Sequence, residues 1–481
     1  MKEDWIECML GEILSVSSGK GLTSKKMDGG IYPVYGGNGI TGYHSQKIFS
    51  EQKLIIGRVG VRCGVTHITQ EKSWVTDNAL IVNFKSSDFD LKFMKLKLEF
   101  ENLNKLSNST AQPVISGTKI YSHSISLPPL VEQKAIVKKL EELFSSLESG
   151  ITDLKKAQDQ LVIYRQAVLK KAFEGELTKE WREKQTNLPS ADELLEQIKE
   201  ERQKHYDQQL ADWKEAAKTW EKKGKEGKKP KKPAILKSEL DLSKLVQKLT
   251  DLPNKWCYIN LDFAVYKLGD GLHGTPKYSE TGDYYFINGN NLANGKINIK
   301  PNTKRVDYSE FLKYRKDLNA DTIFVSINGT IGNVSFYNNE KVILGKSACY
   351  FNLLSGFNKN YIKWRIDSLD FKNYAFKNAT GSTIKNVPLR AMRNYTFALC
   401  SKEEQYQIVQ EIESRLSVCD TVEKDIVDSL EKAQALRQSI LKKAFEGKLL
   451  SEEEIAQCKA HAAYEPASVL LKKIMAEKKK K

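Results

Sequence analysis

Apolar residues recur every seven positions over two long stretches, at Leu140, Leu147, Leu154, Leu161 and Val168 and again at Ile412, Cys419, Ile426, Ala433 and Ile440. Leu143, Ala157 and Tyr164 fill most of the other seam positions of the first stretch, and Val422 and Leu436 those of the second. Sustained heptads without proline predict helix. Gly175 and Gly447 follow the last periodic residues, with Lys170-Lys171 and Lys442-Lys443 in the last turn, as C-terminal capping and the helix dipole favour. Each helix is expected to run about 40 residues, roughly 60 Å. An exposed apolar seam of that length would aggregate, so the two are expected to pair antiparallel as a coiled coil.

The segments before each helix have a different texture. Residues 1–126 and 251–398 are rich in Gly, Asn, Tyr and short β-branched runs such as Lys53-Leu54-Ile55-Ile56-Gly57 and Thr322-Ile323-Phe324-Val325-Ser326, and read as globular, strand-containing domains. Between the halves, Leu194, Leu195 and Ile198 start a short amphipathic helix. Lys222–Pro233 (KKGKEGKKPKKP) then reads as a linker too polar to fold, the alternative being an arm that grips phosphate.

Self-comparison shows that the chain is two copies of one module. Glu132-Gln133 and Ile136-Val137 return as Glu404-Gln405 and Ile408-Val409, and Arg165-Gln166 returns as Arg437-Gln438. Leu169-Lys170-Lys171-Ala172-Phe173-Glu174-Gly175 returns as Leu441-Lys442-Lys443-Ala444-Phe445-Glu446-Gly447, every match at an offset of 272. Ser190-Ala191-Asp192-Glu193-Leu194-Leu195 resembles Pro466-Ala467-Ser468-Val469-Leu470-Leu471. In the domains ahead of the helices, Trp5 and Trp256 and the closing stretches Thr110-Ala111-Gln112 and Thr380-Gly381-Ser382-Thr383 fall at loosely corresponding places, and little else is shared. The fold class that follows is α+β: two globular domains, an antiparallel pair of long helices and an internal repeat.

The chain has 481 residues and a formal charge of +15, of which +8 lies in residues 251–398. A basic surplus suggests a polyanion partner. Seven scattered cysteines without a CxxC pair read as free thiols, six histidines lack metal-ligand spacing, and the acidic, polar start and lack of a long apolar run point to a cytoplasmic protein.

Motifs for chemistry fail on context. Gly37-Asn38-Gly39-Ile40-Thr41-Gly42 fits GxGxxG, but Tyr43-His44-Ser45-Gln46 opens no apolar helix. Gly345-Lys346-Ser347 resembles the end of a phosphate-binding loop, yet Glu340 stands where its first glycine belongs. The only Pro-Pro, Pro128-Pro129, sits between leucines, unlike the Asn/Asp-Pro-Pro-aromatic loop of amino-methylating enzymes, and Glu132-Gln133-Lys134 belongs to a helix start rather than a nuclease core.

The Leu-Pro-Pro-Leu-x-Glu-Gln entry at Leu127–Gln133 and the repeated Leu-Lys-Lys-Ala-Phe-x-Gly exit resemble the specificity subunit of type I restriction-modification systems. Tyr32–Tyr43 and Asn328-Gly329-Thr330-Ile331-Gly332 are similar to recurrent segments of its target-recognition domains; the second helix enters through Leu399–Gln405 without the prolines, and Gly57–Gly64 has one residue more between its last glycines. The resemblance implies a first target-recognition domain (1–126), a first spacer helix (127–186), a charged linker (187–250), a second target-recognition domain (251–398), a second spacer helix (399–450) and a tail (451–481). It implies a chain without catalysis or cofactor of its own. Each domain would read one block of double-stranded DNA, with the helices fixing the gap and docking two methyltransferase subunits that carry S-adenosylmethionine. Restriction-translocase subunits using ATP and Mg would join them; no membrane is involved. The residue types that pair with base edges or phosphates make Asn38, His44, Arg58, Arg62 and Gln112 the candidates in the first domain. Asn290, Asn291, Asn328, Lys346, Ser382, Thr383 and Lys385 are those in the second. Two rival readings remain, a stand-alone methyltransferase or nuclease and a structural coiled-coil protein without DNA affinity.

Overall fold

The computed structural model describes residues 3–60, 62–107, 113–227, 229–233 and 251–480. The heptad stretches are helices of 44 residues each, Leu130–Phe173 and Lys402–Phe445. Each ends at a left-handed glycine, Gly175 (φ 77°) or Gly447 (φ 73°), after which the next amide donates back into the last turn: Glu176 N to Lys171 O at 3.0 Å and Lys448 N to Lys443 O at 2.7 Å.

The chain forms two compact units, and each draws on both copies of the repeat: residues 1–157 with 425–481, and residues 158–424. The first unit carries a four-stranded antiparallel sheet in the order Leu14–Ser18, Ala79–Phe84, Leu54–Gly57, Thr66–Ile68. A three-stranded sheet follows in the order Gly39–His44, Tyr32–Gly36, Trp74–Val75, its last pair parallel. The strands Ile6–Met9 and Ser124–Leu127 form a ribbon at the base.

The second unit has the same plan. Its four-stranded sheet runs Val265–Asp270, Ala348–Leu353, Thr322–Ser326, Val334–Phe336, its three-stranded sheet Arg305–Val306, Tyr284–Ile287, Val342–Leu344, and its ribbon pairs Cys257–Asn260 with Thr396–Leu399. The domains that share little sequence therefore share topology. Runs such as Leu54-Ile55-Ile56 and Ile323-Phe324-Val325 are buried on both faces, as central strands between packed layers must be.

The repeated Glu-Gln at each helix start is buried, and each pair is a polar hub. Glu132 accepts from the Trp5 indole (2.8 Å) and the Tyr464 hydroxyl (3.2 Å); Glu404 accepts from the Trp256 indole (2.9 Å), the Thr178 hydroxyl (2.8 Å) and Arg182 Nε (2.8 Å). Gln133 accepts from Asp90 N (3.0 Å) and donates to Pro128 O (3.0 Å), while Gln405 accepts from Asn358 N (2.8 Å) and donates to Cys400 O (3.0 Å). Asp90 and Asn358 in turn cap the helices Leu91–Glu101 and Lys359–Asp367. A buried carboxylate or amide survives only when its lone pairs and protons are satisfied. The hub thus joins the domain's first strand, its first long-helix turn and a capped helix.

The Ala-Phe of each helix exit is buried in the other copy's domain. Phe445 lies against Phe93 (5.7 Å between ring centroids) and Phe100 (5.1 Å), with the buried Lys97 ammonium 5.3 Å from its ring. Phe173 lies against Tyr361 (5.4 Å), with the Arg365 guanidinium at 4.5 Å. An aromatic plug under a cation repeats in both units.

Within each unit the long helices pack antiparallel. Leu140, Val168, Ile412, Cys419 and Ile426 are buried, and Leu147, Leu154, Leu161, Ala433 and Ile440 are half-buried. The strict heptad misplaces their neighbours. Tyr164, Val422 and Leu436 are exposed, whereas Phe144 and Leu416 are buried. A straight helix repeats every 3.6 residues and drifts off a 3.5 pattern, so the seam rolls on to the next residue. There it meets arginine. Arg165 Nη2 bonds Asp420 (2.7 Å) and Glu423 (2.9 Å), and Arg437 bonds Glu148 (3.3 Å) with its guanidinium 4.2 Å over Phe144. Arg165–Asp420 and Arg437–Glu148 are the same bridge repeated at the 272 offset.

The linker helix is longer than expected, Ala191–Lys222, started by a Ser190/Glu193 capping box and free of proline and glycine throughout. Leu194 and Ile198 are buried in the second unit as Leu470 and Ile474 of the helix Ala467–Lys480 are in the first. Residues 234–250 of the linker lie outside the described residues. All seven cysteines are free; burial pushes Cys8 and Cys349 up to about 12. Among the described residues no helix is long and apolar enough to cross a membrane.

Removing a hub carboxylate leaves its donors in a dry interior. Glu404→Ala strands an indole, a hydroxyl and a guanidinium and is expected to cost about 3–5 kcal/mol. Glu132→Ala strands the Trp5 indole alone, since the Tyr464 hydroxyl keeps its 2.8 Å bond to Asp4, and is expected to cost about 2 kcal/mol. Urea denaturation of both variants checks the order; an equal or smaller loss for Glu404→Ala contradicts it.

Candidate nucleic-acid interface

Strand direction brings several loops to one end of each four-stranded sheet. In the first domain these follow Ser18, precede Ala79 and follow Gly57, and the Gly36–Gly39 hairpin turn is pressed among them. The turn approaches so closely that a Cβ on Gly37 would lie 2.7 Å from Asn78 O. Arg58 is fixed by its backbone, its N–H donating to Asn78 O (2.9 Å) and its carbonyl accepting from Ile115 N (3.0 Å), and its guanidinium reaches Ser18 Oγ at 3.5 Å. Arg62 Nη1 donates to Asn38 Oδ1 at 3.0 Å, and both side chains are exposed. Asn38, Arg58 and Arg62 therefore form one cluster. His67 lies beneath the turn; burial, and then the charge of Lys95, hold its pKa below the usual imidazole value, so it adds no charge at neutral pH.

His44 stands apart. It pairs with Tyr32 at the far end of the hairpin, sets its ring edge-on to Trp74 at 5.4 Å and places Nδ1 3.1 Å from Asp28. The Ser45 hydroxyl, and after it the amides of Gly30 and Ser45 and the charge of His44, hold Asp28 at about 2. These interactions are a hairpin latch. Gln112 lies outside the described residues.

The second domain builds the same platform with other side chains. Gly289 takes the place of Gly37, its Cβ position 3.0 Å from Ser347 O, which puts Asn290 where the first domain has Asn38. Ile327 N donates to Ser347 O (2.9 Å) as Arg58 N does to Asn78 O, and Gly329 N donates to Lys385 O (3.2 Å) as Gly60 N does to Pro113 O (2.9 Å). Asn328 pairs with Asn386, and Thr380 and Asn386 exchange two 2.8 Å backbone bonds that close a loop exposing Ser382, Thr383 and Lys385. Lys346 is exposed where the first domain carries Asp77. The platform thus gathers Asn290, Asn328, Lys346, Ser382, Thr383 and Lys385.

Asn291 is excluded from it. Its buried amide accepts from Asn288 N (3.0 Å) and donates to Asn298 O (3.0 Å), shaping the turn that presents Asn290. Two platform residues carry no usable sequence signal. Ile384 is 60% exposed at the tip of the Thr380–Asn386 loop, and His273, paired with Asp270, flanks the end of the first strand. An isoleucine or histidine in a loop looks like any other until the fold sets it beside Lys385 or Asp270.

Each platform offers exposed amides and cations on a rigid sheet end, the donor and acceptor types that address base edges and phosphates. The family model for the type I restriction modification DNA specificity domain matches residues 2–156 and 262–432. The chain is 28% identical over 166 residues to the type I restriction enzyme EcoprrI specificity subunit of Escherichia coli, a match covering 33% of this chain and 41% of that protein. It is 22% identical over 498 residues to the EcoBI specificity subunit of Escherichia coli, covering 99% of this chain and 93% of that one. A chain from a solved structure concerned with complex assembly and conformational transition of the type I R-M system shares the fold, with a TM-score of 0.60, 14% identity and coverage of 93% of this chain and 99% of that one. Two repeated domains with twin loop platforms and a family model spanning both identify this chain as a member of the type I restriction modification DNA specificity family, a specificity subunit of that kind.

Proposed function

We propose that the chain gives a multi-subunit methylating and restricting complex its DNA address, each loop platform reading one block of a bipartite duplex target. The observation that carries this is the duplicated platform: one backbone scaffold, held at Gly37 and again at Gly289, presents Asn38, Arg58 and Arg62 in one domain and Asn290, Asn328, Lys346 and Lys385 in the other. Arginine pairs bidentately with guanine and asparagine with adenine, whereas lysine near the backbone holds register. The difference between Asp77 and Lys346 suits two unlike sequences, and the positive balance of the second domain suits a phosphate neighbour.

The long helices act in this proposal as the spacer between blocks and as the seat of two methyltransferase subunits. Their buried seam and repeated arginine bridges give the stiffness a spacer needs. Catalysis, S-adenosylmethionine, ATP and Mg belong to the partner polypeptides, and the protein works in the cytoplasm where those partners meet DNA. The names of the relatives as specificity subunits support this reading over a stand-alone enzyme.

Two outcomes test the proposal through methylation mapping of DNA from cells carrying the assembled complex. Arg58→Ala with Arg62→Ala is expected to relax or abolish one block alone, and Asn328→Ala with Lys385→Ala the other, since a bidentate side chain supplies about 1–3 kcal/mol of discrimination. Either pair disturbing both blocks equally contradicts separate reading. Four residues inserted in each long helix add roughly 6 Å and are expected to lengthen the unread gap by about one or two base pairs. An unchanged gap refutes the spacer.

A further inference from the structure

The helix Ala191–Lys222 does more than complete the second unit. Its first turns are buried through Leu194 and Ile198, and two interactions then set its course. Arg202 Nη1 donates to Val265 O at 3.0 Å with its guanidinium 5.1 Å over Phe263, and one turn later His205 stacks on Tyr266 at 4.1 Å and 5° between planes. The helix therefore advances in the direction of the strand Val265–Asp270. That strand leads to the platform loop at Gly271–Gly274, about 20 Å beyond Tyr266 at the usual strand rise. From His205 to Lys222 the helix has about 25 Å left. Its end has the reach to stand at the platform's level.

At that end the charge changes. Between His205 and Glu221 the helix holds two lysines against four carboxylates, whereas Lys222–Pro233 holds seven lysines against one glutamate. The returning chain is not a loose tail. The Trp213 indole donates to Pro230 O (3.1 Å) and the Trp220 indole to Gly227 O (3.3 Å), and Lys232 and Lys229 lie 5.9 and 6.0 Å from those two rings. Lys222, Lys223, Lys225, Lys229, Lys231 and Lys232 are all exposed. A solubilising face spreads its charge, while this one concentrates it on a pinned loop at the tip of a stiff lever.

We infer that Lys222, Lys223, Lys225, Lys229, Lys231 and Lys232 form a phosphate-gripping arm that holds the duplex backbone beside the block read by the second domain. The arm carries no base-reading geometry, so it adds affinity without sequence preference. This rests on the DNA-reading proposal above and extends it to a surface outside both platforms.

The test uses the full chain with its partner subunits and measures binding to a duplex carrying the mapped target and to an unrelated duplex of equal length, from 50 to 200 mM salt. The variant replaces the six described lysines by glutamine. The slope of log affinity against log salt is expected to become shallower by about 2 or more on both duplexes, roughly 0.9 for each phosphate no longer neutralised. Affinity at about 100 mM salt is expected to fall tenfold or more, with the methylated sequence and the melting temperature unchanged. A steep wild-type slope matched by the variant overturns the arm while leaving the DNA reading intact; a wild-type complex with no salt dependence removes the DNA reading itself. Loss of subunit assembly in the variant, seen by size-exclusion chromatography, also overturns the arm and makes the loop a protein-binding surface.

Discussion

Everything in this chain hangs on a buried carboxylate and its neighbouring amide, used twice. Glu132-Gln133 and Glu404-Gln405 sit in dry interiors at the start of the long helices, and each must find partners for every polar atom. They find them in parts of the chain that are far apart in sequence: Trp5 and Tyr464 for the first, Trp256, Thr178 and Arg182 for the second. Burial together with the Asp4 and Glu132 carboxylates holds the Tyr464 hydroxyl well above its usual pKa, so it remains a donor. Because an unsatisfied buried ion is so costly, the hub is a constraint on geometry more than a source of stability. It fixes the angle at which a domain's first strand meets a long helix, and the aromatic plug at each helix exit fixes where that helix ends.

Identical fixings leave the loops between them free to differ. The ribbon, sheet orders and close glycine turn recur in both domains, while the side chains on the platforms do not. Asp77 answers to Lys346, Val59 to Asn328 and Pro113 to Lys385. A protein that must read two unlike blocks with one architecture needs this division: rigidity where the chain is repeated, variety where it faces a ligand. The same logic explains why each unit is composite. A helix that begins at one hub and ends as a plug in the other copy's domain makes neither half independent.

Much of this is legible in the residue pattern, and the failures have physical reasons. The helices, their glycine ends and the repeat follow from periodicity and exact recurrence, and the family resemblance from the motifs at Leu127–Gln133, Leu169–Gly175, Tyr32–Tyr43 and Asn328–Gly332. The heptad puts the seam one residue off at Tyr164 and Leu436, because it ignores the drift of a straight helix and because Arg165 and Arg437 bury an aliphatic stem while their charges reach Asp420 and Glu148. The kinship of the two domains is invisible at a fixed offset. Gly37 and Gly289 differ by 252 while Ala79 and Ala348 differ by 269, since between them the second domain adds the hairpin of Leu292–Ala293 with Lys296–Ile297 and the helix Tyr308–Tyr314. Among the candidate readers, residue type alone singles out Asn38, Arg58 and Arg62, and the fold brings them together. His44 and Asn291 have the same chemistry, but their polar atoms are turned inward to Asp28, Asn288 and Asn298. No rule of composition separates Asn290 from Asn291; only the turn does.

The most direct test of twin readers on one scaffold is a duplication. Residues 10–123 of the first domain would replace residues 261–395 of the second, between unchanged ribbon strands and long helices, with Asp90 taking the place of Asn358 against Gln405, and the methylated sites of cells carrying the assembled complex would be mapped. The account predicts a folded chain whose target contains the first block at both ends of an unchanged gap, with no trace of the second. A target that keeps the second block, or a folded and assembled chain that methylates at no defined sequence, would contradict it.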